Sequence, residues 1–334
     1  RVLTEEEKQE EREESGWKLV HTDAFRPPAN FPMLFCVFVG TALQLMGMAI
    51  VTICFAAIGF LSPANRGSLM IAMLLLYVVM GAAAGYQSAN LYKTFRGKQW
   101  QKCTLLTAFL YPGVAFILFL TFNLTLWGEG SSGAVPFLSM VALISLWFGI
   151  SVPLVFLGAY IGFRKDVMEF PTHPRADNMP RPIPDQPWYL GLGFTVIIGG
   201  ILPFGACFVE LFFILSSMWM DQYYYVFGFL LLVFIILAVT CAEVTMVLIY
   251  FQLCAEDYNW WWRSFLCSGS TAIYVFMYSA FYFSKLEANM VTTYFLYFGY
   301  MGLACFGLFL VTGLIGFYSA LWFTKKIYAS IKVD

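Results

Sequence analysis

The sequence predicts an all-α fold: a polytopic transmembrane helical bundle with eight spans and both chain ends in the cytosol. Three observations predict it. Of the 334 residues, 60% are hydrophobic and 12% are charged, with a mean hydropathy of +0.73, whereas soluble domains are about 45–50% apolar and about 25% charged. The apolar residues form eight long uncharged stretches. All but two of the 19 Lys and Arg residues lie on one side of those stretches.

The eight spans follow from the length of the uncharged stretches. A helix that crosses the hydrocarbon core needs about 20 mostly apolar residues, and each stretch reaches that length. Several are longer, which permits tilt or extension beyond the hydrocarbon. Together they predict a membrane domain over residues 32–324. The predicted spans are residues 33–61, 68–92, 103–127, 134–163, 189–218, 223–254, 265–284 and 290–323.

The orientation follows from the positive charges. An even number of spans places both chain ends on one side, and only Arg66 and Lys285 fall on the other. Cytosolic loops carry the excess of Lys and Arg in membrane proteins. Both ends are therefore predicted to be cytosolic.

Three segments on that side have distinct compositions. Residues 1–31 form an acidic segment, with eight of the twenty acids in the first 23 positions; the chain opens with neither Met nor a signal region, so we expect a fragment whose beginning is missing. The loop 164–187 is rich in proline and is predicted to lie extended over the cytosolic face. Residues 325–334 form a short tail. The strip 259–263, which contains three tryptophans, is predicted to be an aromatic belt at the membrane interface.

The sequence offers little chemistry for catalysis. Its two histidines, His21 and His173, lie in predicted cytosolic segments, and it contains no HExxH, GxSxG or Walker motif. The eight cysteines form neither a CxxC nor a Cys/His cluster, so we expect packing residues rather than disulfides or metal ligands. We therefore predict a protein that is not an enzyme, has no cofactor or metal, and, lacking a basic stripe, binds no nucleic acid.

Two acids, Glu210 and Glu243, fall inside predicted spans. A charge at the bilayer centre costs about 2.5–3.5 kcal/mol on insertion scales. Counted from Asp221 at 1.5 Å per residue, their depths differ by about 17 Å, which excludes a direct pair. They are either steps of a proton or ion path or separate acids hydrogen-bonded within the bundle. Upstream, the glycine- and proline-containing stretch 199–205 is either a break in the helix, as at transporter sites, or a packing feature.

Small residues at Gly81 and Gly85 have GxxxG spacing. This spacing lets another helix backbone approach closely. The partner is either a helix of this chain or a transmembrane segment of another protein. The sequon at Asn123 lies at the end of an apolar run, and we expect it to be too close to the bilayer for glycosylation.

Several motifs, in order over almost the whole chain, resemble the nonaspanins, the transmembrane-9 superfamily. The motifs are GWKLVH at 16–21, FRPP at 25–28, VPLVFLGAY at 152–160, PRPIP at 180–184, QLCAEDY at 252–258, YFGY at 297–300 and the Lys-x-Asp ending.

The resemblance implies a larger protein with a signal peptide, a lumenal domain and nine membrane helices, of which this chain is the part after the first helix. It implies residence in Golgi and endosomes, and sorting and surface delivery of cargo membrane proteins, including those with glycine-rich transmembrane segments. Effects on adhesion and phagocytosis follow from that role. It also implies that Lys332 and Asp334 form a signal for the COPI coat. The implied partners are the lipid bilayer, cargo membrane proteins and COPI.

Two other hypotheses stay open. A secondary transporter or channel would use Glu210 and Glu243. An inert scaffold for the lumenal domain would need no particular residues in these spans.

Overall fold

The computed structural model describes residues 4, 10, 15–59, 67–173, 179–220, 227–287 and 290–331. Within these ranges all regular secondary structure is helical, and there is no strand. The main helices are α1 (Pro32–Ile58), α2 (Ser68–Val79), α3 (Gly81–Thr94), α4 (Trp100–Gly128), α5 (Phe137–Leu146), α6 (Val152–Arg164), α7 (Leu192–Trp219), α8 (Phe227–Cys254), α9 (Trp260–Gly269), α10 (Thr271–Phe283) and α11 (Val291–Ala329).

These helices form eight candidate membrane spans, which confirms the predicted all-α bundle. Helices α1, α4, α7, α8 and α11 each form one span. The pairs α2–α3, α5–α6 and α9–α10 each form one span with an internal irregularity. In α5–α6 this is a π-helical turn over Trp147–Ser151, just before Pro153, whose ring has no N–H to donate and crowds the carbonyl four residues earlier.

Two helix ends differ from the sequence-based prediction by five residues or more. Helix α9 begins at Trp260, five residues before the predicted start, and α11 continues to Ala329, six residues beyond the predicted end. Lys325 and Lys326 therefore lie in the last turns of this helix. Charged residues end an apolar run but are good helix formers, so the helix extends past the hydrocarbon.

Helices α1 and α11 are central to the bundle. Helix α1 packs against α2, α3 and α4, while α11 packs against α8, α9 and α10. The two sets of spans meet where α1 contacts α11 and α8, and where α11 contacts α4. Aromatic side chains fill this junction at one end of the bundle, where Phe35 contacts Phe317 and Phe265 at ring-centroid distances of 5.0 and 6.1 Å.

Helix α7 is continuous from Leu192 to Trp219, through Pro203. Two glycines of its 199–205 stretch serve close packing: a Cβ on Gly199 would lie 2.8 Å from the carbonyl oxygen of Cys267, and one on Gly200 would lie 2.4 Å from Ser270 Oγ. Small residues thus let α7 approach the α9–α10 span closely.

Candidate functional site

Residue Trp17 and the end of α11 meet at one end of the bundle, which we call the terminal face. There the Tyr328 hydroxyl, near the end of α11, donates a hydrogen bond of 2.9 Å to the carbonyl oxygen of Trp17. Irregular segments fold over this face and form what we call the terminal-face cap. The cap comprises residues 15–31, 165–173, 179–187 and 255–263 and the last turns of α11.

Three consecutive tryptophans, 260–262, hold the N-terminal part of the cap. Their indole N–H groups donate in turn to the main-chain carbonyls of Ala24, Arg26 and Asn30, at 2.7, 2.6 and 2.8 Å. Trp260 is 0% exposed and Trp261 is 2% exposed. The predicted aromatic belt is therefore wrong for these two rings, because residues 15–31 cover them and supply the acceptors that interfacial water would otherwise provide.

The loop between α6 and α7 forms the second layer of the cap. Its Phe170 ring stacks on Phe25 at a centroid distance of 4.6 Å. The main-chain N–H of Arg181 donates to the carboxylate of Asp23 at 3.2 Å, and the same carboxylate pairs with Arg26. In residues 165–173 and 179–187 the loop is non-helical, and these contacts fix it against the N-terminal segment.

Two ion pairs involve the connection between α8 and α9, which forms part of the cap. Arg181 pairs with Glu256 at 2.7 Å and is part-exposed, whereas Arg263 pairs with Asp257 at 3.4 Å and is buried, with side chains 10% and 9% exposed. Arg263 also donates to the carbonyl of Leu190 at 2.9 Å. Arg263 therefore joins the start of α9 both to Asp257 and to the residues just before α7, in a poorly solvated environment.

The phenol of Tyr258 lies among the charges of the cap. Burial raises the pKa of Tyr258 above its usual value, the carboxylates of Asp23 and Asp257 raise it further, and Arg26 opposes them. Since the ordinary value is already near 10, the phenol stays neutral at physiological pH.

The two membrane acids lie on the adjacent helices α7 and α8. Glu210 is half-buried, and Glu243 is exposed on the outer surface of the helices. A Cβ on Gly199 would lie 3.1 Å from Leu248 Cδ1, which sets the antiparallel register and places Glu210 about six residues, or roughly 9 Å, from the level of Glu243. The predicted 17 Å is wrong because it was counted from Asp221, whereas α8 begins at Phe227.

The acids are not joined by a hydrogen bond or an ion pair within the described part of the chain. An acid on the outer surface of one helix and a half-buried acid on the next do not line a common path. The arrangement does not favour the transporter hypothesis.

The face of Gly81 and Gly85 is occupied by α6. A Cβ on Gly85 would lie 2.0 Å from the carbonyl oxygen of Val155 and 3.0 Å from the amide nitrogen of Ala159, and one on Gly81 would lie 3.3 Å from Val155 Cγ2. In return, a Cβ on Gly158 would lie 1.9 Å from the carbonyl oxygen of Ala82. A cargo helix that docked here would have to displace α6.

The cysteines, the possible metal ligands, the sequon and the tail residues were also considered from the sequence. All eight cysteines are free thiols. In the described ranges no three His, Cys, Asp or Glu side chains lie together as metal ligands. Asn123 is buried, and its amide pairs with the main chain of Val135 at 2.7 and 3.2 Å. Lys332 and Asp334 lie outside the described residues.

The cap was missed by sequence reasoning. Its signal was present: three adjacent tryptophans carry three donors that need acceptors, and a proline-containing segment, 24–30, offers main-chain carbonyls. Nothing in the sequence states that the two meet across more than 230 positions.

Eight spans joined at one end by a folded cap define a polytopic α-helical membrane protein. The family model described as "Endomembrane protein 70" matches residues 2–293. The chain belongs to this family, which confirms the resemblance to the transmembrane-9 superfamily.

The similar proteins are also members of the transmembrane 9 superfamily. The chain is 58% identical over 330 residues to transmembrane 9 superfamily member 9 of Arabidopsis thaliana, covering 98% of this chain and 51% of the relative. It is 53% identical over 324 residues to human transmembrane 9 superfamily member 2, covering 97% and 48%, and 50% identical over 331 residues to human member 4, covering 99% and 51%. The chain thus spans about half the length of these relatives. No solved structure matches it.

Proposed function

We propose that this chain is the membrane domain of a sorting protein of the Golgi and endosomes, which delivers other membrane proteins to the cell surface and so affects adhesion and phagocytosis. Membership of the Endomembrane protein 70 family carries the proposal. The cargo includes proteins with glycine-rich transmembrane segments. The protein is not an enzyme; the relatives are named as transmembrane 9 superfamily members and not for a catalytic activity.

The terminal face is the cytosolic face in this proposal. The positive residues of the described chain support it, since Lys93, Arg164 and Lys326 lie at helix ends on this face, with Lys285 at the opposite end. The excess of Lys and Arg on the cytosolic side is the general rule.

The tail that follows α11 contains the sorting signal. Lys332 and Asp334, with Val333 between them, form the recognition element for the COPI coat, which returns the protein to the Golgi. The anchor at Tyr328, four residues before Lys332, supports this role because it starts the tail at a defined point of the cap.

The test is the location of the full-length protein in cells. Lys332→Ser is expected to abolish coat binding and move the protein from the Golgi to the cell surface, whereas Val333→Ala, at the variable position, leaves both unchanged. A Lys332→Ser protein that stays in the Golgi and still binds the coat refutes the tail assignment. Cargo delivery is scored separately, by the surface level of a reporter with a glycine-rich transmembrane segment.

A further inference from the structure

A cleft of about 1080 Å³ opens at the terminal face between the start of α7 and the end of α8. Its floor is apolar and is formed by Phe194, Ile198, Leu248 and Phe251. Sites for drug-sized ligands measure about 300–1,000 Å³. The cleft is slightly larger than that range and has room for a larger amphiphile.

The cleft lies at the depth where lipid head groups meet acyl chains. Its residues on α7 and α8 fall within the last two turns before the terminal face, which at 1.5 Å per residue is a depth of about 10 Å. Amphipathic elements at a membrane surface bury their apolar faces about 5–10 Å into the same region. The floor therefore faces acyl chains and the rim faces head groups.

The rim is acidic and rich in hydrogen-bond acceptors. The two charged residues that line the cleft, Glu10 and Asp185, are both acids, and within the described chain no Lys or Arg lines it. The amide nitrogen of Gln186 donates to the carbonyls of Pro184 and Ala255, both at 3.0 Å. Gln186 lines the cleft, and its amide oxygen is a hydrogen-bond acceptor.

We infer that this cleft binds one phospholipid with an ethanolamine head group. The primary ammonium has three N–H donors and is held by the carboxylate of Asp185 and the amide oxygen of Gln186. The acyl chains lie on the apolar floor, and the phosphate stays at the open mouth. A choline head group has no N–H to donate, and the negative charge of an anionic lipid is repelled by the carboxylates of Glu10 and Asp185. The inference stands independently of the sorting proposal.

The test measures which lipid occupies the cleft of the full chain in nanodiscs. Trace photoactivatable phosphatidylethanolamine, phosphatidylcholine or phosphatidylserine is cross-linked and the modified peptides are mapped. Phosphatidylethanolamine is expected to label peptides 184–198 and 248–255 at least fivefold more than phosphatidylserine. Ile198→Trp, which fills the cleft, is expected to reduce this labelling about tenfold. Ile197→Trp, on the same helix but 56% exposed and outside the cleft, should leave it unchanged.

A charge variant tests the head group separately. Asp185→Asn is expected to reduce the preference for ethanolamine roughly three- to tenfold, as the replacement of a charge-assisted hydrogen bond by a neutral one implies. Asp166→Asn, an exposed acid of the same loop outside the cleft, is the control. Because Asp185→Asn removes no packing, it decides the question even if Ile198→Trp misfolds.

Three outcomes overturn the inference. Equal labelling by the three lipids means annular contact only. Labelling that persists in folded Ile198→Trp places the lipid elsewhere. Displacement of the lipid by an apolar helical peptide at concentrations where no other lipid competes identifies the cleft as a protein-docking site.

Discussion

The hydroxyl of Tyr328 and the main-chain carbonyl of Trp17 are joined by a hydrogen bond of 2.9 Å across 311 positions of the chain. Their rings also pack edge to face at 5.8 Å, and Tyr328 is buried. The contact ties the end of the last span to the segment that precedes the first. The two sets of spans are therefore closed at the terminal face by direct contact as well as by helix packing within the membrane.

Tyr328→Phe removes this hydrogen bond and keeps the ring. The carbonyl of Trp17 loses its donor, so we expect the free energy of unfolding to fall by about 1–2 kcal/mol. The measurement is thermal unfolding in detergent. Tyr294→Phe, on the same helix but 45% exposed, is the control. Equal stability of the Tyr328→Phe and parent chains would show that the hydroxyl is satisfied elsewhere.

Trp260→Phe tests the indole clamp. The carbonyl of Ala24 is buried and receives the Trp260 N–H at 2.7 Å, and Trp260 stacks on Trp261 at 4.2 Å. Loss of the donor and of part of the ring is expected to cost about 2–4 kcal/mol. Limited proteolysis should then cleave residues 15–31 faster.

The matched substitution for the clamp is Trp322→Phe, which affects a ring 60% exposed on α11. It should change neither the unfolding temperature nor the rate of cleavage. If both variants behave alike, the clamp does not hold the segment, and the cap depends on its other contacts.

Length, hydropathy and charge predicted the class of the fold because a bilayer imposes a span length and a charge asymmetry that a single sequence displays. They could not predict the cap, since the partners of Trp260 and Tyr328 lie more than 230 positions away and hydropathy carries no pairing information. Buried tryptophans and interfacial tryptophans also look the same in sequence. The predicted depth of Glu243 relative to Glu210 was wrong for a local reason, because α8 begins at Phe227.

Gly85→Ala tests the α3–α6 contact. Its Cβ would lie 2.0 Å from the carbonyl oxygen of Val155, so backbone must move, and we expect a loss of about 1–3 kcal/mol or more. Gly205→Ala is the control, because a Cβ at this position meets nothing within 4 Å. Since Ala has a higher helix propensity than Gly, this substitution should raise the free energy of unfolding by about 0.5–1 kcal/mol. Opposite signs in thermal unfolding are the expected result. A stable Gly85→Ala chain would instead mean that α6 is free to separate from α3.

The two ion pairs of the cap should differ in strength because they differ in exposure. Arg181 and Glu256 have side chains 40% and 21% exposed, so water and salt screen them, and Arg181→Ala is expected to cost about 1 kcal/mol or less. Asp257→Asn leaves the buried Arg263 without its carboxylate, and removing one partner of a buried pair costs about 3–5 kcal/mol. Unfolding measured from low to high salt separates the two: the Arg181 effect should vanish with salt, while the Asp257 effect persists. Equal losses that both disappear at high salt would place Arg263 in solvent rather than in the protein interior.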